Sequence, residues 1–193
     1  MGDSLACTGA RQRPVSLKRS TGRSQPTSTP CCSTGALWDA PATTTRIHDR
    51  GALVLWDLCH STGALPVDLH AWDADLAVGC GYKFLNGGLG APAYCYVARR
   101  HHGGLRTPLP GWHGHAEPFA MRQDYQPGSG ANQLSGGTPP VLSLLALEEG
   151  VASFDGVEMN SLRGKGKQLT TLFADLVALR CPELALSRAG RGR

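Results

Sequence analysis

Leu76-Ala77-Val78-Gly79-Cys80, followed at once by Gly81-Tyr82-Lys83-Phe84-Leu85-Asn86-Gly87-Gly88-Leu89-Gly90, is the stretch on which the reading of this chain turns. The first five residues are apolar and predict a buried strand. Lys83 follows just past the strand end, and three glycines, Gly87, Gly88 and Gly90, come after it in the loop. An ammonium there sheds its charge easily, because desolvation lowers a lysine pKa. A neutral amine is what forms a Schiff base with a carbonyl cofactor. Glycine allows the backbone to approach a bulky ligand closely. A surface lysine in a glycine-rich turn accounts for the decapeptide equally well, so the choice rests on what precedes it.

Ala52-Leu53-Val54-Leu55-Trp56 is a continuous apolar run, as expected of a parallel strand covered on both faces. It ends in Asp57, and His60 follows within Asp57-Leu58-Cys59-His60-Ser61-Thr62-Gly63. An acid at the carboxyl end of a buried strand lies where open α/β sheets bind ligands. The second strand then delivers Lys83 to the same edge. A strand-end carboxylate and a lysine joined by a short crossover are what a pyridoxal 5'-phosphate site needs: the lysine holds the aldehyde and the aspartate pairs with the pyridinium nitrogen. A lone Asp57 would read as a cap of the following turn, but Lys83 at this spacing makes that reading much weaker.

Composition sets the outer limits. A chain of 193 residues suits one ordinary domain or one and a half. Hydrophobic content of 41% against 18% charged fits a globular α/β protein. The net charge of +4 is modest and its cations are scattered apart from the two tails, so no nucleic-acid surface is expected. No apolar run reaches membrane-spanning length. The seven cysteines have no paired metal spacing, and Cys59, Cys80 and Cys95 fall in or beside apolar stretches. Buried free thiols in a reducing cytoplasm are the favoured reading. His113 and His115 form a His-x-His pair without a third ligand at metal spacing, so no metal is expected. Gly164-Lys165-Gly166-Lys167 follows no strand and lacks the hydroxyl residue of a phosphate loop; it reads as a basic patch on a helix.

Three blocks in order carry a resemblance: Trp56-Asp57-Leu58-Cys59-His60-Ser61-Thr62-Gly63-Ala64-Leu65-Pro66-Val67-Asp68-Leu69, then Gly81-Tyr82-Lys83-Phe84-Leu85-Asn86-Gly87-Gly88, then Pro110-Gly111-Trp112-His113-Gly114-His115. The chain resembles the kynureninase family, fold-type-I pyridoxal phosphate enzymes related to the class V aminotransferases, from about Thr34 to about Leu184. The resemblance implies an α/β fold, part of a large domain built on a mainly parallel sheet flanked by helices, with the small domain mostly missing. It implies hydrolysis of L-kynurenine or 3-hydroxykynurenine to an anthranilate and L-alanine, in a cytoplasmic homodimer. Lys83 would bind the cofactor covalently and move protons, Asp57 would keep the ring nitrogen protonated, and His60 would sit beside the ring. Tyr82 and Trp112 would reach the cofactor phosphate, and Thr138 would lie at the cofactor near a helix N-terminus. Ordinary packing for Tyr82, a loop aromatic in the core for Trp112 and a helix cap for Thr138 are the bland alternatives. A cysteine desulfurase-like enzyme would share Asp57 and Lys83 but lack the Trp112 block; an inactive, non-enzymatic fragment would keep the motifs without turnover.

The resemblance also orders the chain. Residues 1–33 are rich in Ser, Thr, Pro, Gly and Arg without apolar periodicity. A transit peptide or a disordered tail fits that composition. Because the family pattern starts abruptly at Thr34-Gly35-Ala36-Leu37-Trp38-Asp39, the expectation is a start foreign to the family. Residues 34–150 read as the cofactor-binding part, 151–184 as a helix leading toward the small domain, and 185–193 as a basic tail. The spacing predicts a helix from Asp39 with Pro41 in its first turn, ending before Gly51. It predicts a strand at Ala93–Val97, a helix opened by Pro139 or Pro140 and ending near Gly150, and a longer helix from about Val157 to about Leu179. The segments that grip the phosphate and the arginine that clamps the substrate carboxylate have no counterpart here, so a fragment with little activity of its own is expected.

Overall fold

The computed structural model describes residues 15–18, 39–184 and 186. Strand β1 (Val15–Lys18) precedes helix α1 (Ala40–His48), then strands β2 (Ala52–Asp57), β3 (Leu76–Cys80) and β4 (Ala93–Val97), and helices α2 (Val141–Ala152) and α3 (Met159–Arg180). Between β4 and α2 the chain forms short 3-10 turns at Arg99–Gly104, Trp112–Gly114, Pro118–Ala120 and Gly130–Leu134. The strands lie in the order β1-β2-β3-β4.

The sheet is mixed where the resemblance implies a mainly parallel one. β2 and β3 run parallel, with Leu55 opposite Leu76 and Asp57 opposite Val78, whereas β1 and β4 each run antiparallel to their neighbour. The cause is visible in the connections. A parallel step needs a crossover, which residues 58–75 provide, while β4 returns from β3 through a loop without a helix and so must reverse direction. Val15–Lys18, inside the segment that shows no periodicity in sequence, pairs along β2 from Leu55 to Ala52. The remainder of residues 1–33, and Cys7, Cys31 and Cys32 with it, lies outside the described residues.

The core sits between α1 and one face of the sheet. Ala40 and Thr44 are buried on α1, with Ile47 packed beside them, a spacing that keeps all three on one helical stripe. They meet Val54 and Trp56 of β2, Ala77 of β3, and Leu58, Trp72 and Ala74 from the crossover. The Trp56 and Trp72 rings are tilted at 59° with centroids 5.7 Å apart, the arrangement ring quadrupoles prefer. Asp39 occupies the N-cap of α1 with proline in the first turn as expected, but its side chain makes no capping hydrogen bond.

The two later helices are different. α2 packs closely on the Lys83 loop: a Cβ on Gly150 would lie 2.5 Å from the carbonyl oxygen of Leu85, so only glycine lets the helix touch the loop there. Pro140 is its N-cap. α3 starts at Met159, where the Glu158 side chain accepts hydrogen bonds from the backbone N–H groups of Asn160 and Ser161. Its apolar stripe (Leu162, Leu169, Leu172, Phe173, Leu176) is exposed among the described residues.

Candidate active site

The parallel pairing of β2 and β3 brings the sequence-predicted residues to one edge. Asp57 is the last residue of β2 and is buried. Its Oδ1 accepts the backbone N–H of Cys59 at 2.9 Å, and its Oδ2 is buried with no hydrogen-bond partner. The turn that follows is wound tightly: the N–H groups of Ser61 and Thr62 both donate to the Leu58 carbonyl, and that of Leu65 donates to Ser61. This winding carries His60 outward over the edge, where its Nε2 lies 2.9 Å from Lys83 Nζ.

Lys83 stands three residues past β3 in a turn closed by Gly87 N–H to the Gly81 carbonyl and Asn86 N–H to the Lys83 carbonyl. Its ammonium lies over the Tyr82 ring, 5.3 Å from the centroid, within range of a cation–π attraction. Here the sequence expectation of a lowered lysine pKa is overturned. Burial does act against the charged form, but the neighbouring Cys80 thiol, the Tyr82 phenol and the Cys59 thiol outweigh it and raise Lys83 above its ordinary value. The lysine is too near solvent, past the strand rather than in it, for desolvation to win. The glycines of the loop also serve packing: a Cβ on Gly87 would lie 2.8 Å from both Ala91 Cβ and Leu147 Cδ1 of α2.

Beneath these groups lie two thiols and a phenol. Burial, with Asp57 next to it, pushes the Cys59 thiol up to about 12. The Cys80 thiol donates to the Cys59 carbonyl at 3.5 Å. Tyr94, raised to about 12 by burial, hydrogen-bonds Thr62 Oγ1. Cys59, Cys80 and Cys95 are buried free thiols.

Trp112 packs beside the glycines that precede Thr138. The backbone of Gly111 lies against that of Gly136, and the Trp112 indole Nε1 faces the backbone of Gly137. The indole is half-exposed and stacks edge-on with Phe119 at 5.8 Å. Thr138 is exposed, and with Pro140 as the N-cap of α2 it does not cap that helix. Asp57, His60, Tyr82 and Lys83 are thus gathered at one edge, and Trp112 lies beside Gly137, the residue before Thr138.

Sequence reasoning missed a third cluster. Asp75, directly before β3, is fully buried; Oδ2 accepts from the Val54 N–H and from His48 Nε2, each at 2.8 Å, and Oδ1 from Arg100 Nη2 and His101 Nε2, each at 2.7 Å. Arg100 also reaches Asp73. Buried against these donors, the Asp75 carboxyl is held well below the usual carboxylate range: desolvation opposes the shift, and the hydrogen bonds from Val54, His101, His48 and Arg100 overcome it. The signal was available in the sequence, since an acid abutting a buried strand must find partners; the partners themselves come from α1 and the turn after β4.

The family model for aminotransferase class-V matches residues 31–185. The chain belongs to that family. Enzymes of the family use pyridoxal 5'-phosphate. Among curated proteins the chain is 49% identical over 144 residues to a kynureninase of Deinococcus radiodurans, covering 75% of this chain and 35% of that protein. It is 45% identical over 148 residues to a kynureninase of Burkholderia mallei, covering 77% and 36%. The chain therefore spans about a third of the length of the curated relatives it matches. Among solved structures, the cysteine desulfurase CsdA of Escherichia coli superposes with a TM-score of 0.63 at 22% identity, over 74% of this chain and 35% of that one. A cysteine desulfurase of Thermococcus onnurineus gives 0.61 at 17% identity, over 72% and 34%. These two show the class V fold. No helix among the described residues is long and apolar enough to cross a membrane, and no group of three His, Cys, Asp or Glu side chains among them could hold a metal ion.

The residues present fit the family's cofactor. An acceptor oxygen buried without a partner costs roughly 1–3 kcal/mol, and Asp57 Oδ2 is such an oxygen, on a carboxylate. A protonated ring nitrogen is the donor it lacks. An amine within reach of solvent and of an imidazole is the group that can bind an aldehyde, and Lys83 is that amine.

Proposed function

We propose that this chain is the Asp57- and Lys83-bearing part of a pyridoxal phosphate-dependent kynureninase, which hydrolyses L-kynurenine or 3-hydroxykynurenine to an anthranilate and L-alanine. The observation that carries the reading is the pairing, at one sheet edge, of a buried Asp57 oxygen without a donor and the Lys83–His60 pair. The 49% identity to a kynureninase over a third of that protein's length supports this chemistry. The cysteine desulfurase alternative rests on likeness of fold at 22% identity or less, and fold does not carry function.

In this reading the bound cofactor supplies an electron sink. Asp57 Oδ2 accepts a hydrogen bond from the ring nitrogen and keeps its proton in place. Lys83 would hold the aldehyde, and its amine would be the group that moves a proton at the substrate Cα. His60, already hydrogen-bonded to Nζ, orients that amine and offers it a proton acceptor within one hydrogen bond. A Lys83 whose pKa is raised needs such an acceptor, because only the neutral amine is nucleophilic. Tyr82 and Trp112 offer an O–H and an indole N–H donor for the phosphate. By the family resemblance Trp112 and Thr138 reach the partner's cofactor, and we infer a two-fold homodimer from that. We place the enzyme in the cytoplasm, where its buried thiols stay reduced.

The test is incubation with pyridoxal phosphate, borohydride reduction and peptide mapping. The label is expected on Lys83; label on Lys165 or Lys167 instead overturns the assignment. Anthranilate fluorescence from kynurenine, run beside sulfide release from cysteine, separates the two chemistries.

A further inference from the structure

A phenol from β4 reaches the turn that carries His60. Tyr94 stands opposite Gly79 in the β3–β4 ladder and is buried, and its O–H donates to Thr62 Oγ1. To get there the side chain crosses β3. The phenol end of its ring occupies the space that a Cβ on Gly79 would take, so glycine at this position leaves the way open. Thr62 lies two residues after His60, in the turn that follows β2. The bond therefore ties together the elements on either side of β3, the strand from which the Lys83 loop leaves.

What the tie holds follows from the shape of the turn. The N–H groups of Ser61 and Thr62 share the Leu58 carbonyl, and those of Ala64 and Leu65 share the Ser61 carbonyl. Residues 58–65 are thus wound into one unit, whose orientation must be fixed by contacts outside it. Gly63 supplies one: at φ 84° it lies so close to the Phe84 carbonyl that a Cβ would overlap it, which seats the turn against the residue after Lys83. Tyr94 supplies another through the adjacent Thr62. His60 is exposed, so packing does not hold its imidazole. The position of the turn does, and with it the 2.9 Å approach of Nε2 to Lys83 Nζ.

We propose that Tyr94 is a positioning residue, whose hydrogen bond to Thr62 sets the His60 imidazole against the Lys83 amine. Its value for capturing an aldehyde rests on the cofactor reading above; the placement of His60 does not. Only the neutral amine attacks a carbonyl, and an imidazole serves as proton acceptor only within hydrogen-bond reach of it. A buried phenol needs an acceptor in any case, but a bond made for that reason alone would leave His60 unmoved when it is lost.

The experiment has two arms, both on the full chain. In the first, without cofactor, histidine is isotopically labelled and the imidazole resonances are followed by NMR, that of His60 being assigned by its disappearance in His60→Gln. Tyr94→Phe and Thr62→Val should each move the His60 signal toward the position of a free histidine, and Thr62→Ser, which keeps the hydroxyl, should restore it. The resonances of His48 and His101, held by Asp75, should stay in place. In the second arm the rate of borohydride-trapped pyridoxal phosphate labelling at Lys83 should fall about two- to tenfold in Tyr94→Phe, the ordinary worth of one hydrogen bond. In a His60→Ala background the same substitution should change nothing. A His60 resonance unmoved in both Tyr94→Phe and Thr62→Val would overturn the proposal, as would His48 and His101 signals that move with it, Thr62→Ser behaving like Thr62→Val, or equal slowing with and without His60. Label on Lys165 or Lys167 of the wild-type chain would instead overturn the cofactor reading, and the first arm would still decide the role of Tyr94.

Discussion

The two ends of the β2–β3 pair each bury an aspartate, and they treat it in opposite ways. At the amino end of β3, Asp75 takes hydrogen bonds on both oxygens, from the Val54 backbone, His48, Arg100 and His101. At the carboxyl end of β2, Asp57 has one oxygen held by a backbone N–H and the other bare. A satisfied buried carboxylate joins the elements around it: Asp75 ties α1, β2 and the turn after β4 to β3. An unsatisfied one is a cost to the fold, kept where a ligand supplies the missing donor. The same residue type on the same pair of strands is thus architecture at one end and chemistry at the other.

The largest expected effect comes from removing the architectural acid. Asp75→Ala strands Arg100, His48 and His101 around a hole. Breaking a buried pair this way costs about 3–5 kcal/mol, and the half-exposed Arg100 places the loss near the lower end of that range. Denaturant unfolding followed by circular dichroism measures it. The loss should depend on pH with a defined sign. Asp75 is lowered in the folded protein, so its contribution is complete above the unfolded aspartate pKa of about 3.9 and fades as pH falls toward the lower folded value. The wild-type chain should therefore lose stability from about pH 4 downward more steeply than Asp75→Ala. Parallel acid limbs would show that the cluster is decorative.

The chemical acid should respond the other way round. Asp57→Asn keeps the shape and the bond from Cys59 while removing the charge that holds a proton on a ring nitrogen. Kynurenine turnover should fall about 10²-fold or more, with covalent label at Lys83 retained and the unfolding midpoint unchanged or raised. Retained turnover would reduce Asp57 to a cap of the following turn. A collapse in stability comparable to that of Asp75→Ala would erase the distinction between the two ends.

Why one end was legible in the sequence and the other was not follows from where the partners lie. Asp57, His60, Tyr82 and Lys83 sit on two strands and their immediate turns, so local apolar runs and motif spacing suffice to place them. The boundaries of β3 and β4, and nearly those of β2, follow from the same runs. Asp75 draws its partners from α1 and from Arg100 and His101, and no periodicity links those segments. The direction of β4 was hidden for a similar reason, because a strand's sequence carries its burial pattern but not its neighbour's polarity. The lysine's protonation was misread because the rule for a buried amine was applied to one that stands three residues beyond the strand. The helix cap, the bland alternative for Thr138, fails because two prolines follow it and the helix begins after the second.

The smallest effect expected tests how tightly the chemical end is held. Asn86 adopts a left-handed backbone, φ 59°, three residues after Lys83, and its side-chain amide donates to Ser153 Oγ at 3.1 Å, just past α2. Asparagine tolerates this conformation better than other non-glycine residues. Asn86→Ala loses both the tolerance and the bond and should cost about 1–2 kcal/mol. Asn86→Gly loses the bond but adopts the backbone freely, so its cost should stay within about 1 kcal/mol. The ordering separates conformation from hydrogen bonding: equal losses would mean that the Ser153 contact, rather than the left-handed turn, shapes the loop. Borohydride labelling at Lys83 should follow the same ordering, slower in Asn86→Ala than in Asn86→Gly, because the Asn86 N–H to Lys83 carbonyl bond closes the turn that presents the amine. Unchanged labelling in both would place the presentation of Lys83 with His60 and Tyr82 instead.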